Sequence, residues 1–346
     1  MMIYPDDPRL TYSGRIDWRN PKAPVFIWPC TFVTFCFTGE NLKLHICNRR
    51  QYWGNQLGFI LDGEQGKIKL PSDGEAVCEI PVTGNGRHEI LIFKRQDSCH
   101  EVAILGFELA KEAEIYKALG LPKRKIEVYG DSVSAGEVSE AVEYTGKADP
   151  EHDGEYSNAW YSYAWMTARK LQAQIHDVAQ GGIALLNHTG YFAEPEYVGM
   201  ESAWDEIQYN PAFGETTKWD FSKYTPDVVI VAIGQNDNHP EDYMKEDYEG
   251  EKAQNWRAHY KQFLLKIRQT YPDAYIVCIT TLLMHDAAWD RSISQVVEEL
   301  DDEKISKCTF KRNGIATPGH LRIPEAEEMA EELSAYIEQL HIEAWK

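Results

Sequence analysis

The spacing of hydrophobic positions divides the chain into two parts that meet near residue 111. In the first part, short runs rich in β-branched and aromatic residues alternate with turns that contain Gly, Asn and Asp. The clearest runs lie at 25–28, 31–37, 42–46 and 89–93. Since no helical periodicity of useful length accompanies them, the pattern predicts an antiparallel β-sandwich over residues 1–110, of the jelly-roll type.

The second part follows a charged stretch at 111–124 that contains Gly120 and Pro122 and is typical of a linker. Hydrophobic runs then predict strands at 126–130, 175–179, 227–233 and 274–281. Helical spacing predicts helices at 158–173, 253–270 and 324–340. Strands that alternate with helices indicate a parallel sheet covered on both faces, so residues 125–346 are predicted to form a three-layer α/β/α domain.

Composition and charge limit the partners. The 346 residues are 43% hydrophobic and 26% charged, as in ordinary globular proteins. A formal net charge of −20 argues against nucleic acid or an anionic membrane surface as a partner. No run is apolar enough to span a bilayer, and no basic segment with an apolar core opens the chain. We therefore expect a cytoplasmic location, unless a leader has been removed.

Cysteine and histidine spacing gives no sign of a metal centre. The cysteines are widely scattered and include no C-x-x-C pair; they are Cys30, Cys36, Cys47, Cys78, Cys99, Cys278 and Cys308. This pattern favours reduced core thiols over disulfides or zinc ligands. His239, His285, Asp286 and Asp290 lie near strand ends, but no His-x-x-x-His spacing accompanies them. The sequence predicts no metal.

The candidate chemistry begins where the first predicted parallel strand ends, at Gly130-Asp131-Ser132. A serine just past a strand end projects its hydroxyl from the edge of the sheet, with free backbone N–H groups beside it. A nucleophile and an oxyanion site share that geometry. Solvated turns commonly carry the same residue types, so the motif alone is a weak signal.

Three further blocks fall at the same predicted edge. Gln180-Gly181-Gly182 follows the second strand, and paired glycines let a backbone N–H approach a ligand closely. Gly234-Gln235-Asn236-Asp237 follows the third strand, where the Asn236 amide supplies a donor that needs no titration. His320, just before the last helix, is placed to act as a general base.

In order and spacing, these blocks resemble the GDSL/SGNH hydrolase superfamily. The all-β part in front of them, together with 219–227 and 253–281, resembles the acetyl-esterase branch called carbohydrate esterase family two. The resemblance implies Ser132 as nucleophile and His320 as base and then acid. It also implies an oxyanion hole formed by the Ser132 N–H, the Gly182 N–H and the Asn236 side chain, with no metal or cofactor.

The activity that the resemblance implies is removal of O-acetyl groups from hemicellulose-derived saccharides through an acetyl-enzyme. Acetylated xylan and glucomannan are the candidate substrates, with the primary 6-O-acetyl as a candidate position. Two alternatives stay open: a general short-chain acyl esterase or lysophospholipase, and a non-catalytic carbohydrate-binding protein. The oligomeric state is not predicted.

One position departs from the superfamily pattern. Most members place an aspartate three residues before the histidine, and here that position is Thr317. A neutral imidazole still needs an acceptor for its second nitrogen to fix the tautomer. We therefore predict a Ser132–His320 dyad, with the ring oriented by a backbone carbonyl or by a remote acid that the sequence does not identify. Asp131 is expected to hold the turn around Ser132.

Aromatic residues supply the candidate substrate contacts. The long connection at 186–226 is rich in them and is expected to wall the site, with Trp204, Trp219 and Asp237 as candidate substrate-binding residues. Trp18, Tyr52 and Trp53 of the sandwich suit stacking on sugar rings or packing, and packing is the favoured interpretation.

Overall fold

The computed structural model describes residues 1–345. Two antiparallel sheets pack face to face in its first part. Their strands are β1 Met2–Ile3, β2 Thr11–Ser13, β3 Ile16–Asp17, β4 Val25–Phe26, β5 Phe32–Thr38, β6 Asn41–Arg50, β7 Gln56–Leu61, β8 Glu64–Lys69, β9 Gly74–Pro81, β10 Arg87–Lys94, β11 His100–Leu109 and β12 Ile115–Tyr116. One sheet has the order β3-β4-β11-β6-β9, with β1 also on β11, and the other β12-β5-β10-β7-β8, with β2 on β5.

The strands of this sandwich follow the two-residue period of their side chains. Along β6, Leu42, Leu44 and Ile46 are buried, whereas the residues between them are only partly covered. In β10, Ile90 and Ile92 point into the same core from the opposite sheet. The prediction of an antiparallel all-β part is therefore confirmed.

A parallel sheet of order β14-β13-β17-β18-β19 forms the centre of the second part. Its strands are β13 Arg124–Gly130, β14 Ala173–Ala179, β17 Val228–Ala232, β18 Tyr275–Cys278 and β19 Ile305–Lys307, and a separate antiparallel pair is β15 Glu206–Gln208 and β16 Thr217–Lys218. The helices are α1 Ser132–Ala135, α2 Tyr163–Lys170, α3 Met200–Ala203, α4 Tyr243–Glu246, α5 Glu251–Thr270, α6 Ala287–Leu300 and α7 Ile323–Gln339.

Helices cover both faces of this sheet. Apolar residues of α2 and α7 pack in one cluster with Val128 and Ile230, and those of α5 and α6 pack in another with Tyr129 and Val231. The four predicted strands and three predicted helices are present, with somewhat different ends. Strand β19 and helix α6 lie outside the predicted set.

The segment predicted as a linker, 111–124, is partly strand. Ile115 is buried and pairs with Phe37, so β12 forms an edge of the sandwich. The two parts are also joined by fully buried charge: Arg15 of the sandwich reaches Glu127 of β13 at 3.0 Å. Arg95, directly after β10, is also buried and meets the partly exposed Glu140 at 2.6 Å. A buried pair left with one member would be costly, so these contacts fix how the two parts meet.

Two further features follow from residues 1–345. None of the seven cysteines forms a disulfide there, and six of them are buried, in accord with the predicted core thiols. Within the same range, every helix is too short or too polar to cross a membrane.

Candidate active site

Ser132 is held at the edge of the parallel sheet by a short capped helix. Strand β13 ends at Gly130, where a Cβ would lie 2.1 Å from Ser134 Oγ, so only glycine fits. Asp131 caps α1 by accepting the Val133 N–H at 3.0 Å. Burial raises the pKa of Asp131 to about 7, although the Val133 N–H acts in the opposite direction. Asp131 thus holds the turn, and Ser132 is the first residue of α1.

Ser132, Gly182, Asn236 and His320 all line one open pocket of about 570 Å³. They come from four separate blocks of the chain, and the structure brings all four together. Gly182 has φ +72, in the left-handed region that favours glycine. Among residues 1–345, the N–H groups of Ser132 and Gly182 have no hydrogen-bond partner. Both donors are therefore free to bind a ligand.

The Asn236 amide also faces this pocket. Its Nδ2 donates to the Ile183 carbonyl at 3.0 Å and lies 3.5 Å from Asp131 Oδ2, at the long limit of a hydrogen bond. The first contact orients the amide, and the second is weak enough to be exchanged for a ligand oxygen.

His320 has a carboxylate partner that the sequence did not reveal. Its Nδ1 lies 2.6 Å from Asp149 Oδ2, and its backbone N–H donates to Asp149 Oδ1 at 2.9 Å. The predicted dyad without a carboxylate is therefore wrong, and the remote-acid alternative is the one found. Burial opposes ionisation of Asp149, but hydrogen bonds from His152, His320 and Arg322 outweigh it and hold the pKa of Asp149 well below its ordinary range.

Thr317, at the usual aspartate position, ties down the loop that carries Asp149. Its Oγ1 accepts the Gly146 N–H at 2.7 Å and donates to the Lys147 carbonyl at 3.3 Å. Arg322 then reaches Asp149 Oδ1 at 2.8 Å. Gly319 provides the space that Asp149 occupies, because a Cβ at position 319 would lie 2.2 Å from Asp149 Oδ1. The threonine thus supports the aspartate that takes over the orienting role.

Two more titratable side chains line the pocket without having been predicted. His152 Nε2 lies 3.0 Å from Asp149 Oδ2, so two imidazoles share one carboxylate oxygen. Glu137 Oε2 lies 3.6 Å from His320 Nε2. Burial, with the Asp97 carboxyl beside it, raises the pKa of Glu137 well above its ordinary value. Their only sequence signal is a polar loop soon after the Ser132 block, which does not specify a contact.

The sandwich contributes a wall of the same pocket through Gln51, Tyr52 and Trp53. Tyr52 and Trp53 are partly exposed and meet edge to face with ring centroids 4.9 Å apart, while the Trp53 ring lies 5.7 Å from that of His152. The packing interpretation suits Trp18, which lies against Tyr12 and the sandwich core. Tyr52 and Trp53, in contrast, line the same pocket as Ser132.

Three predicted substrate contacts are corrected by burial. Trp204 packs edge to face against Tyr129 in the core beneath the sheet. Trp219 is buried under the guanidinium of Arg15, 5.5 Å away. Asp237 is fully buried and accepts the backbone N–H groups of Leu185 and Leu186 at 2.7 and 3.1 Å. None of the three lines the pocket; the 186–226 connection reaches it instead through residues 191–194.

Comparison with known proteins finds similarity to carbohydrate esterases. Residues 12–118 match the family model described as carbohydrate esterase 2 N-terminal. The cellulase/esterase CelE of Acetivibrio thermocellus is 28% identical over 96% of this chain, which spans only 39% of that relative. An acetylxylan esterase/glucomannan deacetylase of Cellvibrio japonicus is 24% identical, with 98% of this chain and 90% of the relative covered.

Solved structures match over the whole length. A family two carbohydrate esterase from Clostridium thermocellum, in complex with cellohexaose, has a TM-score of 0.80 at 25% identity, with 97% of this chain and 100% of that chain covered. A family two carbohydrate esterase from Cellvibrio japonicus has a TM-score of 0.80 at 23% identity, covering 100% and 99%. The chain is therefore similar, over nearly its whole length, to proteins of carbohydrate esterase family two.

Proposed function

We propose that this protein is a serine esterase that removes O-acetyl groups from hemicellulose-derived saccharides such as acetylated xylan or glucomannan. One observation carries the proposal: a serine hydroxyl, an imidazole oriented by a carboxylate, and unpartnered backbone N–H groups line one open pocket. The relatives named as esterases and deacetylases support the same chemistry.

The mechanism follows from the tautomer of His320. Because Asp149 accepts from Nδ1, the ring proton is held there and Nε2 is left as an acceptor. As Ser132 Oγ attacks the acetyl carbonyl, Nε2 takes the hydroxyl proton and then gives it to the leaving sugar oxygen. Water repeats the sequence on the acetyl-enzyme and releases acetate. Asp149 stays ionised throughout, stabilising the imidazolium.

The charge that develops on the carbonyl oxygen needs donors in place before the reaction. We assign this role to the N–H groups of Ser132 and Gly182 and to the Asn236 amide. Removing one such donor typically costs about 3 kcal/mol of transition-state stabilisation. Gly182 keeps its place because Gly182 O accepts the N–H groups of Tyr191 and Phe192 at 2.8 and 3.2 Å.

The pocket walls suit a sugar better than a long acyl chain. Tyr52, Trp53 and Tyr191 offer aromatic faces or edges to the apolar side of a pyranose, and Glu137, His152 and Glu194 offer polar groups to its hydroxyls. An exposed primary 6-O-acetyl would reach Ser132 with the least steric demand. A lysophospholipase would instead need a deep apolar groove, so short-chain acyl esters are the alternative substrates.

We also infer that the sandwich is a jelly roll. Support comes from β4 to β11, whose consecutive members alternate between the two sheets at most steps, giving orders 4-11-6-9 and 5-10-7-8. We place the domain boundary in the stretch between β12 and β13. The proposed cytoplasmic location, three-layer catalytic domain and absence of any cofactor requirement stay predictions.

Acetate release decides the function. We expect wild type to release acetate from p-nitrophenyl acetate and from acetylated glucomannan or xylan, and Ser132→Ala to lose at least about 10³-fold of that rate. Ser222→Ala, at an exposed serine, is the matched control and should keep it. Activity confined to long-chain esters would favour the lipase alternative, and saccharide binding without turnover the non-catalytic one.

A further inference from the structure

The two imidazoles of the pocket converge on one carboxylate. His320 Nδ1 and His152 Nε2 lie 2.6 and 3.0 Å from the same oxygen, Asp149 Oδ2. The ring centroids are 5.3 Å apart, and one ligating atom from each of the three residues lies within 4.8 Å of the others. Two imidazole nitrogens and a carboxylate oxygen are the donor set that zinc takes in many proteins.

A fourth titratable group lies on the other side of the two rings. Glu137 Oε2 is 3.6 Å from His320 Nε2 and 4.0 Å from His152 Nδ1, which are the nitrogens that do not face Asp149. Glu137 is therefore not among the ligands. Three protein ligands would leave the fourth position of a tetrahedral zinc to water.

We propose that Asp149, His152 and His320 form an inhibitory site for Zn²⁺ that opens onto the active-site pocket. The metal would not take part in the reaction. Its site would overlap the orienting half of the esterase machinery, so binding would switch the enzyme off. The inhibition rests on the proposed function, whereas binding of the metal does not.

The reason for inhibition is the single proton of a neutral imidazole. While Asp149 holds that proton on Nδ1, Nε2 is an acceptor for the Ser132 proton. When Zn²⁺ binds Nδ1, the ring proton must sit on Nε2, which becomes a donor. No proton leaves the ring, yet His320 can no longer act as a base.

The cluster needs little movement to accept the ion. Ligands at about 2.0–2.2 Å around a tetrahedral zinc stand roughly 3.3 Å from one another. The present N···O separations of 2.6 and 3.0 Å are shorter, so each ring would move away from Asp149 by less than about 1 Å. The two ring nitrogens lie within 4.8 Å of each other and would approach toward the tetrahedral separation. His152 is on an irregular loop and partly exposed, which allows this movement. The net charge of −20 raises the local concentration of cations.

The test measures Zn²⁺ alone, by titration calorimetry and by acetate release, on the full chain. We expect wild type to bind Zn²⁺, to lose activity as it binds, and to recover when EDTA is added. His152→Gln should raise the half-inhibitory concentration and the dissociation constant by at least about tenfold, judged against its own zinc-free rate. His45→Gln is the control, because His45 forms a His–carboxylate pair with Glu108 on the sandwich, at 3.0 Å, far from the pocket in the sheet order.

The outcomes separate the two proposals. If wild type shows no Zn²⁺ binding, or if His152→Gln binds and responds as wild type does, the metal site is wrong. If His45→Gln loses the response, the ion binds elsewhere and the site is wrong as well. If wild type has no esterase activity at all, the proposed function fails, and calorimetry on wild type and His152→Gln still decides the site.

Discussion

Two histidine–aspartate pairs lie beyond the ends of the parallel strands, and they differ in what the second ring nitrogen meets. His320 pairs with Asp149 at 2.6 Å, and its Nε2 opens on the pocket without a hydrogen bond among residues 1–345. His285 pairs with Asp290 at 2.8 Å, but its Nδ1 is held by the Leu283 carbonyl at 2.6 Å. The side chain of His285 is 2% exposed, against 17% for His320.

The comparison shows that a carboxylate beside an imidazole does not make a base. Asp290 is also contacted by Thr280, Asn313 and Lys307, so its pair belongs to a closed network behind the Asn236 block. Gln235 links this network to that block: its Nε2 lies 3.1 Å from His285 Nδ1, and its Oε1 accepts from Thr281 at 2.7 Å. One pair is therefore suited to chemistry and the other to holding a strand end in place.

Removing the charge of Asp149 should have the largest effect on rate. In Asp149→Asn the amide can donate to Nδ1, so the ring proton moves to Nε2 and His320 loses its acceptor. We expect kcat to fall by about 10²–10⁴-fold, the range in which triads respond to the same change. Asp153→Asn, on the same loop but exposed, is the matched control. A loss below about tenfold would mean that Asp149 does not set the tautomer.

The same change at Asp290 should lower the stability of the fold and leave the rate of acetate release nearly unchanged. Asp290→Asn removes the negative charge that Lys307 and His285 face and replaces one of the two acceptor oxygens by a donor, so we expect about 1–3 kcal/mol less unfolding free energy. The rate should change by less than about tenfold, since no reacting atom is touched. Denaturant unfolding and acetate release measure the two effects. If Asp290→Asn lost more of the rate than Asp149→Asn does, His285 and Asp290 would be the catalytic pair, and His320 and Asp149 the structural one.

Low pH should reduce the difference in unfolding free energy between wild type and Asp290→Asn. Burial raises the pKa of Asp290, but its bonds to His285, Lys307 and Thr280 more than offset this and hold the pKa well below its ordinary value of 3.8. A depressed pKa contributes stability that is complete above 3.8 and is lost as the pH falls toward the folded value. Unfolding free energies of wild type and Asp290→Asn should therefore converge below pH 3.8. If the difference in unfolding free energy does not change with pH, the ionised Asp290 carboxylate is not the source of the stability.

Thr317 should have a smaller effect, because it acts on Asp149 only through the loop. Thr317→Val keeps the shape but removes the acceptor of the Gly146 N–H and the donor to Lys147. One such hydrogen bond is worth about 1 kcal/mol, so we expect kcat to fall roughly fivefold with KM little changed. Thr317→Ser, which keeps the hydroxyl, should restore the rate. Equal losses in both variants would show that packing, and not the hydroxyl, matters.

The sequence was sufficient where a functional group is set by its neighbours in the chain. Ser132, Gly182 and Asn236 each follow a hydrophobic strand directly, and parallel strands bring such ends to one edge. The alternation of strands and helices likewise predicted the parallel sheet. Strand β19 was beyond this reasoning because it has three residues at an edge, too few for a period.

The orienting half of the site was beyond it for a different reason. Asp149 meets His320 across 171 positions of the chain, and the contact depends on Gly319, Thr317 and Arg322 acting together. Trp204 and Trp219 were wrongly predicted for the opposite reason. Aromatic residues on a long connection suggested a pocket wall, but both side chains pack in the hydrophobic core. A pattern gives the type of residue; long-range packing decides which side of it is exposed.

Glu137→Gln gives the finest test of the comparison, because it asks whether the open nitrogen of His320 is free. Burial beside Asp97 raises the pKa of Glu137, which favours a neutral carboxyl over a carboxylate that would draw a proton to Nε2. The glutamine side chain resembles a neutral carboxyl group, and we expect kcat to change by less than about fivefold, which corresponds to one hydrogen bond.

The same variant tests the effect of Glu137 on stability. A buried acid with a raised pKa lowers the stability of the fold as the pH rises above its ordinary pKa of 4.5, because only the unfolded chain ionises. The Tm of Glu137→Gln should therefore rise relative to that of wild type as the pH rises above 4.5. A tenfold change in kcat, or a Tm difference that does not grow with pH, would mean that Glu137 is ionised and holds His320 from the pocket side.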